Sequence, residues 1–270
     1  MLFRVLDIET VSDEAAWTQG DPKWSIVPYR DLVPTKNCRP TVEQAGMAFK
    51  RDEPWPPPQA NRVVAISYLD LEATTTKEEG RRYTYKSMVS RAAWGSLSDE
   101  RDLIVDFGEA QTKGEVTIVT WAGRSFDLPV LALRALKHAI PWGWYYNAKS
   151  VRYRYTDEGH CDLMDVLSDY GASRSLSLND AAHLVGLPGK TDMDGTKVGD
   201  LVVRGQDPKA FAKIARYCGH DVLQTALVFL RSRILFGYLT LEAFRASVES
   251  FKAPAKEYGL EVDWNAYLMV

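Results

Sequence analysis

Two acids stand two residues apart inside an apolar opening run, Leu2-Phe3-Arg4-Val5-Leu6-Asp7-Ile8-Glu9. A run of this length and composition reads as a strand buried in the middle of a sheet. Alternate residues of a strand share a face, so Asp7 and Glu9 project together while Leu6 and Ile8 point the other way. At a separation of about 5 Å and an effective dielectric of about 20, two such carboxylates repel by roughly 3 kcal/mol, a large part of a domain's stability. Either both sit at the strand's frayed end in water, or positive charge holds them. A third acid, Asp127, closes Gly123-Arg124-Ser125-Phe126-Asp127 between a strand and a helix. There it either caps the helix ahead of Leu128-Pro129 or faces the first pair. The fourth, Asp221, follows Tyr217 by four residues. On a helix that spacing puts both on one face, beside the apolar stripe of Phe211, Ile214, Cys218, Val222, Thr225 and Phe229. An acid beside a buried stripe needs a partner, either an arginine or a cation shared with other acids. Four converging carboxylates remain ionised only beside cations, and oxygen ligands favour hard ions such as Mg²⁺ or Mn²⁺.

The elements that must position these groups follow from periodicity. Residues 13 to 60 hold eight of the 13 prolines together with Trp17, Trp24 and Trp55, and show no sustained period, so they read as an irregular excursion with a short helix around 41 to 50. Its end, Pro54-Trp55-Pro56-Pro57-Pro58, is stiff and delivers the chain to the next strand; a polyproline docking motif is the alternative. Arg62 to Leu69 and Arg82 to Lys86 read as a hairpin. A helix capped by Ser98 runs to about Gln111 and ends at Gly114, followed by a strand from Val116 to Trp121. Helices follow from Phe126 to His138, near Leu163 to Tyr170, from Ser177 with Asp180 three residues on, and from Pro208 to about Arg233. Asp162 and Asp165 read as capping and solvating acids of their helix. This order predicts an α/β architecture, a mixed sheet flanked by helices, since the early hairpin is antiparallel.

Composition bounds the rest. At 270 residues and 46% hydrophobic content the chain can fill one large core. A formal charge of −3 gives no global pull toward phosphate, so nucleic-acid contact must rest on local basic clusters. Cys38, Cys161 and Cys218 are too scattered for a disulfide framework or a zinc site and read as reduced, buried thiols. The absence of a long apolar run excludes a membrane span, and Arg4 and Asp7 interrupt any signal peptide; a soluble, cytoplasmic protein is the expectation.

The acidic motifs, in this order, resemble the DEDD superfamily of 3′-to-5′ exonucleases. Asp7-Ile8-Glu9-Thr10, Gly-Arg-Ser-Phe-Asp at 123 to 127 and Tyr-x-x-x-Asp at 217 to 221 are similar to its tyrosine-type subgroup; the histidine-type subgroup would need His where Arg216 stands. Pro-Pro-Pro ahead of Arg62-Val63-Val64-Ala65-Ile66, and His160-Cys161-Asp162-Leu163-Met164-Asp165, resemble stand-alone bacterial exonucleases related to the proofreading domain of family B DNA polymerases. The resemblance covers about residues 1 to 232. It implies a ribonuclease-H-like fold; residues 233 to 270 match no motif of the family and read as an extension, helical from Leu239 to Ser250, that packs on the sheet or mediates self-association. It also implies two divalent cations about 4 Å apart, with Asp7 bridging both, Glu9 and Asp221 on the nucleophile side and Asp127 on the other. Tyr217 would orient the attacking water, because a phenol with pKa near 10 is a poor base. Thr10, Arg124 and Phe126 fall beside the substrate, with Arg124 a candidate for phosphate contact. Family members usually carry Asn at the position of Ala122, which bears on affinity or rate.

The implied substrate is the 3′ end of single-stranded nucleic acid, DNA or RNA. From Trp142 to Tyr155 aromatic residues alternate with Lys149, Arg152 and Arg154, a composition that suits base stacking and phosphate contact, with Tyr153 and Arg154 as candidates. The other reading is a surface hairpin whose aromatics pack inward. Any proofreading would act in trans, beside a polymerase or repair partner. A catalytically weak nucleic-acid-binding module on the same fold is the alternative function, motivated by Ala122.

Overall fold

The computed structural model describes residues 1–13, 25–28, 47–50, 58–76, 80–93, 97–112, 115–189, 198, 201–202 and 208–269. Among the described residues seven strands run in chain order: β1 (Leu2–Ser12), β2 (Ser25–Pro28), β3 (Met47–Lys50), β4 (Asn61–Thr76), β5 (Gly80–Ala92), β6 (Val116–Thr120) and β7 (His160–Asp162). Among the described residues the main sheet has the order β5-β4-β1-β6-β7, and β2 and β3 form a separate antiparallel pair. β1 pairs antiparallel with β4 and parallel with β6, β4 is antiparallel to β5, and β7 is parallel to β6. Numbered within the sheet this is 3-2-1-4-5 with the second strand reversed, the ribonuclease-H-like mixed sheet that the motifs implied. The helix expected around 41 to 50 ends differently. Met47–Lys50 is a strand, paired with Ser25–Pro28, because cross-strand pairing overrides a weak local helical period; the rest of that helix, the prolines at 54 to 57, Cys38 and Gly114 lie outside the described residues.

The helices are α1 (Leu97–Gln111), α2 (Asp127–Lys137), α3 (Gly143–Tyr146), α4 (Lys149–Arg152), α5 (Leu163–Leu167), α6 (Leu178–Leu184), α7 (Pro208–Leu235), α8 (Leu241–Glu249), α9 (Lys252–Tyr258) and α10 (Trp264–Leu268). The expected helix near 163 to 170 stops at Leu167; a 3₁₀ turn follows at Asp169–Gly171, where Tyr170 takes a positive φ of 54°. α1 already begins at Leu97, ahead of Ser98. The alternation of β1 divides the core. Phe3 and Val5 pack with Val222, Leu223 and Phe229 of α7, whereas Leu6 and Ile8 pack with Phe107 of α1 and Leu131 of α2. Asp7 and Glu9, in step with Phe3 and Val5, therefore face α7. Cys161 and Cys218 are buried free thiols, and no helix among the described residues is long and apolar enough to cross a membrane.

The segment after α7 joins the same core. Phe244, Val248, Phe251 and Tyr267 are fully buried in the cluster that contains Phe3 and Phe229. α8 lies along β5, an edge of the sheet, where the Tyr83 and Tyr85 N–H groups donate to Ser247 Oγ at 3.1 Å and Ser250 Oγ at 3.0 Å. Edge strands leave backbone groups without sheet partners; here two serines supply them.

Candidate active site

One cavity of about 580 Å³ is lined by Asp7, Glu9, Asp127, Tyr217 and Asp221, with Trp121, Ala122 and Phe126 on its wall. Three distant stretches of sequence thus meet at one place: the C-terminal half of β1, the turn from β6 into α2, and the middle of α7. Glu9 (9% exposed), Asp127 (4%), Tyr217 (5%) and Asp221 (7%) are all withdrawn from bulk solvent. The reading of Asp127 as a helix cap gives way to another role. Phe126 occupies the N-cap position and makes no side-chain cap. Asp127 Oδ1 instead accepts the Ile8 N–H at 3.1 Å, which ties α2 to the strand that carries the first two acids.

The electrostatics of the cavity are set by burial and by the charges of its acids. Burial raises the Asp7 carboxyl well above the ordinary carboxylate range, and the charges of Asp127, Glu9 and Asp221 push it further, with a Cys218 hydrogen bond opposing. The charges that act most strongly on Asp7 are thus those of three neighbouring acids. Asp127 rises to about 7, first through burial and then through the charge of Asp162, against hydrogen bonds from its own N–H and from that of Ile8. Tyr217 is driven far above its usual range by burial, then by Asp221, Glu9 and Asp7, and by a hydrogen bond with Asp221. It is a phenol that donates and cannot serve as a base near neutrality. Cys218 Sγ donates to Asp7 Oδ2 at 3.3 Å, and donor atoms of Asp7, Glu9 and Cys218 lie within 4.8 Å of one another. Burial and the Asp7 charge hold that sulfur in its thiol form, so it is no ligand in the sense of a thiolate. What remains is a set of carboxylate oxygens in a low-dielectric pocket, the donor set of a hard divalent ion, and the residues present fit Mg²⁺ or Mn²⁺.

The turn that delivers Asp127 is fixed from below. Gly123 packs so closely on Thr120 that a Cβ would approach its side chain to 2.5 Å. Asp162, at the end of β7, accepts the N–H groups of Ala122 at 3.0 Å and Arg124 at 2.8 Å while capping α5 through the Met164 N–H at 3.1 Å. The capping expected of Asp162 is present; its grip on the turn that precedes Asp127 is invisible in a linear motif and is the feature of the candidate site that sequence reasoning missed. Ala122 sits in this turn at φ 62°, a left-handed conformation that costs an L-residue with a Cβ about 1–2 kcal/mol and that Asn tolerates better. An Asn at this position, the residue that the resemblance leads one to expect, would therefore suit the backbone.

The remaining expected substrate contacts separate. Phe126 lines the cavity. Thr10 is not among the residues that line it, and its hydroxyl donates to Asn61 Oδ1 at 3.1 Å. Arg124 is turned to the scaffold, donating to the Arg152 carbonyl at 3.1 Å and the His160 carbonyl at 3.3 Å. Arg154 grips Asp165 through two nitrogens at 2.7 and 3.0 Å. Tyr153 is 58% exposed and lines a different cavity.

Residues 53–269 match a family described as a predicted 3′-5′ exonuclease related to the exonuclease domain of PolB. No curated protein matches the chain. Among solved structures, the family B DNA polymerase from the hyperthermophilic archaeon Pyrobaculum calidifontis aligns with 87% of this chain and 24% of its own, at 16% identity and a TM-score of 0.49. E. coli Exonuclease I in complex with a dT13 oligonucleotide aligns with 91% of this chain and 45% of its own, at 13% identity and a TM-score of 0.33. The chain thus spans less than half the length of either structure.

Proposed function

Because the chain belongs to the family of predicted 3′-5′ exonucleases related to the exonuclease domain of PolB, we propose that it hydrolyses single-stranded nucleic acid from the 3′ end, DNA before RNA, at the Asp7, Glu9, Asp127 and Asp221 cavity. One observation carries this reading: Asp7 is raised by burial and by each of the other three acids together. An arrangement that repels itself at the centre of a stable sheet is retained for what it binds. Asp7 and Glu9 on one side and Asp127 and Asp221 on the others would hold two ions, Mg²⁺ or Mn²⁺. When bound, such ions neutralise the carboxylates and the scissile phosphate and acidify water.

The chain's own part is positional. Tyr217, kept protonated and hydrogen-bonded to Asp221, would turn its proton to the incoming water once ions hold that carboxylate. Phe126 and Trp121, on the cavity wall, offer faces for the terminal base, and stacking of this kind contributes about 1–3 kcal/mol per base. Water adds to phosphorus, the P–O3′ bond breaks, the 3′ oxygen of the penultimate nucleotide leaves as a hydroxyl after taking a proton, and a nucleoside 5′-monophosphate is released. Preference for DNA follows from the relationship to a DNA polymerase domain, which is also the ground for a polymerase or repair partner in trans.

The test is a time course on 5′-labelled single-stranded DNA, duplex DNA and RNA of one sequence. Single strands shorten stepwise with Mg²⁺ or Mn²⁺, DNA fastest, and EDTA stops them. Degradation that survives EDTA, or that Asp7→Ala leaves intact, overturns the proposal. Ala122 favours a second reading, binding with little turnover; a strand retained by the protein and left intact for hours in Mg²⁺ selects it.

A further inference from the structure

A second cavity, separate from the carboxylate site, opens between α3, α4 and the segment leading to β7, with a volume of about 740 Å³. Tyr146, Lys149, Arg152 and Tyr153 line it, and Glu158 is the acid at its border. Tyr146 and Tyr153 are 54% and 58% exposed, so both rings are open to solvent. Arg152 lies over the Tyr146 ring at 5.4 Å. Tyr153 continues into a run of rings, 6.0 Å from Tyr155, which is in turn 5.2 Å from Tyr170. The chain's overall charge of −3 makes two exposed cations beside exposed rings a local exception.

The cavity is mechanically joined to the catalytic turn. Arg124, whose N–H is held by Asp162 at 2.8 Å, donates from its guanidinium to the carbonyls of Val151 and Arg152 in α4. One residue therefore fixes both the turn that precedes Asp127 and the helix that carries Lys149 and Arg152. Arg124 and Arg154 meet at Asp165, and the cations that line the cavity itself are Lys149 and Arg152.

We propose that this cavity is a second holding site for the single strand, where Lys149 and Arg152 take backbone phosphates and Tyr146 and Tyr153 stack bases several nucleotides upstream of the 3′ end. It rests on the exonuclease reading only for the identity of the strand. Rings for bases and cations for phosphates fit a single-stranded polynucleotide.

The test measures affinity by anisotropy for 5′-labelled dT12 and dT3 carrying phosphorothioate linkages at the 3′ end, in Mg²⁺. The wild-type advantage of dT12 over dT3 falls about tenfold in Tyr146→Ala/Tyr153→Ala, the loss of one to two stacked bases. In Lys149→Ala/Arg152→Ala the slope of log affinity against log salt for dT12 falls by about 1.4, two phosphates at about 0.7 each. Glu158→Gln, which removes the bordering anion, tightens dT12 about threefold, a gain that no folding defect produces. An unchanged dT12-to-dT3 ratio, an unchanged salt slope or a weakened Glu158→Gln overturns the proposal. Unmodified dT12 is followed in parallel. If it is not shortened while the affinity differences hold, the exonuclease reading fails and the holding site stands.

Discussion

Two groups of buried acids lie on opposite faces of the same sheet, and they are handled in opposite ways. On the α1 and α2 side, Glu100 is fully buried and receives Arg134 Nε at 2.7 Å and NH2 at 2.5 Å, together with the Val63 N–H at 2.8 Å. Asp13 beside it is held by Arg134 and by Lys137 at 2.6 Å. Burial would raise Asp13, yet the hydrogen bonds from Lys137 and Arg134 bring it down to about 2. On the α7 side burial raises Asp7 and the charges of Asp127, Glu9 and Asp221 raise it further, against a hydrogen bond from Cys218. Arg134 thus joins the acids of the first group, whereas Asp7 in the second is raised by the charges of its acidic neighbours, the condition under which a bound cation stabilises most.

The sharpest way to break this contrast is Asp7→Asn. Loss of a ligand to transition-state charge lowers the exonuclease rate at least about a thousandfold, while relief of repulsion raises the metal-free protein's unfolding free energy by up to about 3 kcal/mol. Rate and urea midpoint in EDTA are measured on the same preparation; a variant that is both inactive and less stable would make Asp7 an ordinary structural acid. Arg134→Met should do the reverse. It strands Glu100 and costs roughly 3–5 kcal/mol, read from urea unfolding, whereas Asp7→Asn costs nothing.

Acidity separates the groups as well. Asp127, raised to about 7, contributes stability in full below its unfolded value of about 3.8 and loses it as pH rises through about 7, at most about 4 kcal/mol. Asp13, lowered to about 2, contributes above about 3.8 and loses its share as pH falls through about 2. In EDTA the protein is therefore most stable in mild acid and weakens toward neutrality, and Mg²⁺ removes the neutral decline. Urea midpoints at about pH 4.5 and 7.5 with and without Mg²⁺ decide it; a flat profile in EDTA contradicts the repulsion. The smallest effect belongs to Ala122→Asn. Relief at φ 62° should add about 1 kcal/mol, seen as a rise in Tm, with faster turnover on single strands.

How far the sequence led depended on whether a signal was local. The acids of β1 announce themselves by period two, and the face shared by Tyr217 and Asp221 by period four. The Ser177 cap appears where its motif places it, with Asp180 N donating to Ser177 Oγ at 3.1 Å. Two ambiguities needed the third dimension. Asp127 could be told from a cap only by the Ile8 N–H it meets across the sheet. Asp162 could be seen as a clamp only once β7 lay beside β6, and β7 is three residues long, too short to show any period. Short strands such as β3 and β7 exist through their neighbours, and no window of sequence contains those neighbours. Arg124 and Arg154 were drawn toward phosphate by their charge, and the fold spends both on Asp165.

The serines of α8 carry a consequence for handling the molecule. A shortened protein ending with α7 would leave a 13-residue strand with bare amides at Tyr83 and Tyr85 along its outer side, a template on which a second molecule can add its own strand. Such a fragment, although it keeps every acid of the cavity, should accumulate as insoluble aggregate, and solubility rather than catalysis would be what the last three helices protect.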